Sequence, residues 1–160
     1  MPKAKRAIPE GYHTITPHLV LDNAAQALDW YKRALGAEEI SRSSGPDGKI
    51  MHAELRIGDS RIMMNDVMTG KGPSAYGGSP ASLWLYVDDC DALFNQAVAA
   101  GAKVTMPMAD QFWGDRCGGI SDPQGYTWSI ATRKEDLTRQ EMEQRAAEFF
   151  KQFAQQTAHS

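Results

Sequence analysis

From His13 to Leu21 the chain alternates. Thr16, His18 and Val20 fall on one side of an extended backbone, and Pro17, Leu19 and Leu21 on the other. The second set is the more apolar, which predicts a strand packed beneath a helix. After Asp22-Asn23 the period changes, and Ala27, Leu28, Tyr31 and Leu35 recur at helical spacing. The pattern predicts a helix from about Ala24, capped by a side-chain oxygen of Asp22 or Asn23 and stopped at Gly36 by a left-handed turn. Extended character returns from Glu38 to Ser43, and Gly45-Pro46-Asp47-Gly48 predicts a turn. Lys49 to Ile57 then alternates His52, Glu54 and Arg56 against Ala53, Leu55 and Ile57. Gly58-Asp59 turns the chain into Ser60 to Asn65, where Arg61, Met63 and Asn65 oppose Ile62 and Met64.

The same design returns further on. Ser82 to Val87 is a strand, Asp88-Asp89 opens a helix, and the helix ends at Ala100-Gly101. A shift of 66 residues carries Thr16 onto Ser82 and Asp22 onto Asp88, so two copies of one supersecondary unit are expected. In the second copy Lys103 to Met108 is a strand. Gln111 to Asp122 leads to the turn Asp122-Pro123-Gln124-Gly125, and Tyr126 to Thr132 is the last strand. Between the copies, Thr69 to Pro80 is rich in glycine, serine and proline and reads as a linker. Beyond Arg133 the repeat stops. Thr138 with Glu141 has capping-box spacing, and Met142, Ala146, Phe149, Phe150 and Phe153 form an apolar stripe on a helix. Such a stripe docks on the chain's own core or on a partner subunit, and membrane binding is the lesser alternative.

The resulting organisation is a flexible arm at 1–12 and a single domain at 13–132. The domain divides into module one at 13–68, a linker at 69–81 and module two at 82–132, followed by a C-terminal helix and tail at 133–160. The fold class is α+β. A formal net charge of −3 and a pI near 5.8 provide no basic footprint for nucleic acid or an anionic membrane. No apolar run approaches the roughly 20 residues needed to span a bilayer. The N-terminus lacks the apolar segment of a secretory signal. Cys90 and Cys117 form no paired spacing and read as free thiols in a reducing cytoplasm.

The paired strand-helix-strand-strand-strand modules, together with Asp122-Pro123-Gln124-Gly125-Tyr126-Thr127-Trp128-Ser129-Ile130, resemble the vicinal oxygen chelate superfamily. That superfamily includes glyoxalase I, extradiol dioxygenases, fosfomycin-resistance enzymes and bleomycin-binding proteins. The segments Ile50-Met51-His52-Ala53-Glu54-Leu55-Arg56-Ile57-Gly58-Asp59 and Gly114-Asp115-Arg116 resemble a bacterial glyoxalase-like sub-branch. The resemblance covers about Thr14 to Thr132. It implies two tandem βαβββ modules forming a cupped half-barrel cleft, often in a homodimer. It also implies four symmetric metal-ligand positions, which fall here on Thr16, Met63, Ser82 and Ser129. Divalent metals are held by imidazole and carboxylate, whereas these four residues are a thioether and three hydroxyls. No cofactor is therefore predicted.

The remaining candidates divide three ways. His18, His52 and Glu54 share the faces assigned to the cleft. They suit a displaced metal site, a His–Glu general base with its orienter (His52 and Glu54 being the catalytic candidates), or a polar lining. Trp84, Tyr86, Met63 and Trp113 suit an aromatic cavity for a planar apolar ligand. Leu83, Leu85 and Val87 already supply the helix-facing side of Trp84's strand, and Trp84 is expected to face His18 across the repeat's pseudo-twofold. Trp128 points toward the helices. Arg56, Arg61 and Arg116 are candidate anion holders or solvated charges. Arg116 is also a cation that could activate Cys117, although an inert thiol is the plainer reading. Asp88, Asp89 and Asp91 read as helix-start charges. The leading expectation is a metal-free protein binding a small aromatic or antibiotic-like molecule through His18, His52, Glu54, Met63, Ser82, Trp84, Tyr86, Trp113, Arg116 and Ser129. The alternative is a metal-dependent lyase, isomerase or dioxygenase. A third reading is a vestigial cleft whose C-terminal helix serves assembly.

Overall fold

The computed structural model describes residue 4 and residues 6–157. Module one consists of β1 (His18–Leu21), α1 (Ala24–Leu35), β2 (Glu38–Ser44), β3 (Ile50–Ile57) and β4 (Ser60–Asp66). Module two repeats it as β5 (Ser82–Tyr86), α2 (Cys90–Ala99), β6 (Lys103–Asp110), β7 (Asp115–Ser121) and β8 (Thr127–Arg133), and α3 (Arg139–Thr157) follows. Each module forms an open four-stranded mixed sheet, in the orders β1-β4-β3-β2 and β5-β8-β7-β6. The first strand of each module runs parallel to the last, and the other pairings are antiparallel. Helices α1 and α2 cover one face of their sheets and pack on each other, so both modules share one core.

The repeat is visible in individual hydrogen bonds. Asn23 Oδ1 caps α1 by accepting from the Gln26 amide at 3.1 Å, and Asp89 Oδ1 caps α2 by accepting from the Ala92 amide at 3.0 Å. The first helical amide in each module is taken by the end of the last strand: Ala24 N donates to Asp66 Oδ1 at 2.7 Å, and Cys90 N to Thr132 Oγ1 at 3.0 Å. All four residues of the first module map onto those of the second by the shift of 66. The helices are also tied reciprocally. Trp30 Nε1 donates to the Ala100 carbonyl, and Gln96 Nε2 to the Arg33 carbonyl, both at 2.8 Å.

The turn after β7 anchors module two to module one. Asp122 is buried and its carboxylate accepts four hydrogen bonds. Oδ1 takes the amides of Gln124 and Tyr126, while Oδ2 takes the Tyr31 hydroxyl at 2.6 Å and Trp128 Nε1 at 2.9 Å. Burial, with the Asp122 charge beside it, pushes the Tyr31 hydroxyl far above its ordinary pKa. The linker folds back over this turn through a short 3-10 segment, Pro73–Tyr76. Gly78 and Gly125 meet backbone to backbone there. Both have positive φ, and a Cβ on Gly125 would stand 2.8 Å from Gly78 Cα, so only glycine fits.

Two expectations are corrected. The first strand begins at His18 rather than His13, so Thr16 lies in the approach segment. Pro17 lacks an amide, and only its carbonyl joins the sheet, accepting from Met63 N at 2.9 Å. Asp115–Ser121 is a full central strand, β7. Gly118 in it leaves room for Phe94 of α2, since a Cβ would stand 2.7 Å from that ring. The C-terminal helix has its capping box, with the Glu141 amide on Thr138 Oγ1 and the Thr138 amide on Glu141 Oε2. It docks on the β6–β7 turn through Phe112, whose ring lies 4.8 Å from that of Phe149. Phe149, Phe150 and Phe153 all stay more than 40% exposed.

Candidate functional site

The side chains facing away from the helices form two open patches of different character. In module one the register aligns His18 with Met63 and Met63 with Glu54, so these three make one row across β1, β4 and β3. His52 and Asn65 flank that row. Asn65 Oδ1 lies 2.5 Å from His18 Nε2, and Asn65 Nδ2 donates to the Asp66 carbonyl at 2.7 Å. His52 Nε2 lies 3.3 Å from Glu54 Oε1, and the two imidazole rings are 6.5 Å apart.

Arg61 closes the patch at its lower edge, with Nη1 3.6 Å from Glu54 Oε2. The chain before β1 lies over it. Gly11 packs on the guanidinium, and the Tyr12 ring stands 5.3 Å from Arg61 Cζ. The Tyr12 hydroxyl and Arg61 Nε are enclosed and meet no partner at full hydrogen-bond geometry. The hydroxyl nevertheless lies near enough to hold the Glu54 carboxyl below the usual carboxylate range, with help from His52 and Arg61 and against the effect of burial. Glu54 is therefore the fixed anion of this face.

In module two the patch is aromatic. Trp84 pairs with Ser129 and Tyr86 with Ala131 in the β5–β8 ladder. Trp84 lies 6.1 Å from Tyr86 and 6.4 Å from Trp113, ring to ring, and Trp113 lies 5.1 Å from Phe112. Asp115, buried, ties this wall together by accepting from the Tyr86 hydroxyl at 2.8 Å and from Trp113 Nε1 at 3.0 Å. Leu83, Leu85 and Trp128 occupy the opposite side of the sheet and pack into the core. Trp84 and Tyr86 remain 47% and 64% exposed, so neither is needed to fill the core.

The two patches meet along the edges of the sheets. There Thr16, Arg61, Ile62, Leu83, Trp84 and Trp128 are among the residues lining a cavity of about 150 Å³. Trp84 thus shares a cavity with Thr16 and Arg61. His18, expected opposite it, lies on the neighbouring open face.

The four family-equivalent positions are Thr16 in the approach to β1, Met63 beside His18, Ser82 beside Thr127 and Ser129 beside Trp84. A thioether and three neutral hydroxyls do not fit a divalent cation. Among the described residues no three His, Cys, Asp or Glu side chains are arranged to hold one. His18, His52 and Glu54 are neighbours, but each imidazole directs Nε2 to Asn65 or Glu54 rather than to a common point.

Arg116 lies on the α2 side of β7, away from the aromatic patch. Its guanidinium takes both oxygens of Asp91, at 2.7 and 2.8 Å, and Asp110 at 3.2 Å. Arg56 is paired with Glu38. Cys117 is fully buried, and burial raises its thiol pKa. The sequence reading missed Tyr12, which it assigned to the arm, and gave Asn65 no role. Asn65 was recoverable, since it shares the alternation of Arg61 and Met63.

A sequence model described as Glyoxalase/Bleomycin resistance protein/Dioxygenase superfamily matches residues 12–130. The uncharacterized protein Rv0887c of Mycobacterium tuberculosis is 42% identical over 135 residues, covering 81% of this chain and 79% of its own length. Protein YjdN of Escherichia coli is 31% identical, covering 78% and 99%. Among solved structures, TioX from Micromonospora superposes with a TM-score of 0.61 at 27% identity, over 79% of this chain and all of that one.

Proposed function

We propose that this chain, which belongs to the glyoxalase/bleomycin resistance protein/dioxygenase superfamily, binds a small planar, apolar molecule of aromatic or antibiotic-like character. The reading is one of binding without the metal that the superfamily usually holds. The observation that carries it is the wall of Trp84, Tyr86 and Trp113. Asp115 holds the Tyr86 and Trp113 rings on the helix-free face, Trp84 lies against both, and other residues fill the core behind them. Large exposed aromatic surface of this kind marks a recognition site, and the rings match the flat face of a planar ligand. Polar selection falls to His18, His52, Glu54 and Ser129.

Each patch is open in a single chain. The exposed Phe149, Phe150 and Phe153 stripe fits a second copy as partner, and a homodimer would close the cleft. Two buried, unpaired thiols suit a reducing cytoplasm. No helix among the described residues is long and apolar enough to cross a membrane.

The test is a titration of planar aromatic and antibiotic-like compounds followed by tryptophan fluorescence and thermal unfolding. Binding compounds are expected to quench the fluorescence and raise the midpoint, and Trp84→Ala should weaken them about tenfold or more. Ligands that bind Trp84→Ala as tightly as the parent protein would contradict the reading.

A further inference from the structure

Two imidazoles on the open face of module one each direct Nε2 to an oxygen acceptor. Asn65 Nδ2 donates to the Asp66 carbonyl, which turns its Oδ1 toward His18 Nε2. An amide oxygen only accepts, so in the neutral ring Nε2 carries the proton and His18 Nδ1 keeps a lone pair. His52 reaches the same state through Glu54, because an ionised carboxylate also only accepts. The rings share one patch, 6.5 Å apart and inclined at 70°. Each presents Nδ1 as an acceptor. A face with two acceptors and a fixed anion selects ligands that bring hydrogen.

Deepening the binding reading, on which it rests, we propose that this patch is a metal-free proton-accepting site for planar ligands bearing an acidic O–H, N–H or C–H. His52 Nδ1 takes the proton, and the electron pair of the broken bond stays on the ligand. The imidazolium so formed keeps its Nε2–H on Glu54, whose charge stabilises it. His18 Nδ1 accepts a second hydrogen and orients the ligand. The proton then returns to another ligand atom or passes to water, so no oxidant, reductant or metal enters the balance. The charged and titratable groups on the face of His52 are Glu54 and Arg56 on its own strand, Glu38 beside Arg56 on β2, His18 on β1, Arg61 on β4 and Tyr12 before β1. Strand β2 also contributes Ser41 and Ser43, which lie beside Glu54 and His52.

The probe is 5-nitrobenzisoxazole, a planar aromatic that loses its ring C–H proton to a base as the N–O bond opens, giving a coloured cyanophenolate. Chelator-treated protein is expected to accelerate the opening, and His52→Gln to lower kcat/KM about tenfold or more. Glu54→Gln should lower kcat more than it changes KM. Nitrogen NMR of the histidines supplies a readout independent of any ligand, with Nε2–H tautomers expected for both His18 and His52. A protein that binds the probe without opening it, an unchanged rate in His52→Gln, or the opposite tautomer at His52 would overturn the proposal. A probe that fails to bind counts instead against the aromatic cleft.

Discussion

Asp122→Ala is expected to destabilise the protein by about 3–5 kcal/mol, the largest effect of any single substitution considered. The carboxylate has four partners, two amides of its own turn and the side chains of Tyr31 and Trp128, and both side chains are almost wholly buried. Its removal leaves a phenol and an indole N–H without an acceptor in a dry core, and each orphan costs about 1–3 kcal/mol. The effect also crosses the modules, because Tyr31 lies on α1 and Asp122 in the turn after β7. Urea unfolding should show the midpoint falling in one transition, since both modules share one core. Tyr31→Phe removes a single donor and should lose about 1 kcal/mol, a useful reading if Asp122→Ala does not fold. A loss below about 1 kcal/mol in Asp122→Ala would contradict this account.

Asp66→Ala is expected to follow at about 2–4 kcal/mol. Asp66 Oδ1 satisfies the first amide of α1 and Oδ2 the first amide of β3, both at 2.7 Å, so one buried carboxylate fixes where two elements begin. The equivalent residue in module two, Thr132, has one hydroxyl. It accepts from the Cys90 amide and donates to the Val87 carbonyl. Thr132→Val should therefore cost less than Asp66→Ala in the same urea titration, and equal losses would show that the amide of β3 finds another partner.

The fold was legible because its signals were local. Asn23 and Gly36 bracket α1, Thr138 and Glu141 open α3, and alternation assigned both faces of β3 and β4. Where alternation failed, so did the reading. Gly118 and Gly119 give β7 no side chains to alternate, so the strand was not marked and the parity of Arg116 was lost. Its guanidinium consequently belongs to Asp91 on α2. Pro17 delays the start of β1 to His18 because a proline cannot donate to a ladder. The turn chemistry of Asp122 was plain from Asp-Pro-Gln-Gly. Its bond to Tyr31, 91 residues away, has no local signature.

The site was legible in part for the same reason. Residue types and strand parity placed His18, His52, Glu54, Trp84 and Tyr86 on helix-free faces. They did not reveal that Tyr12 and Gly11 fold back onto Arg61, since a contact by an irregular segment follows no period.

The central claim is that the cleft works without a metal, and thermal unfolding of chelator-stripped protein with added nickel, zinc, manganese or ferrous iron tests it most directly. A resident metal at 100 times its dissociation constant would add about 2.7 kcal/mol. In a domain of this size that is a rise of roughly 5–10 °C in the midpoint. The account predicts no shift with any of the four ions, and stabilisation by planar aromatic ligands in the same chelated buffer. A rise of that size with one metal, abolished in His52→Ala, would contradict it.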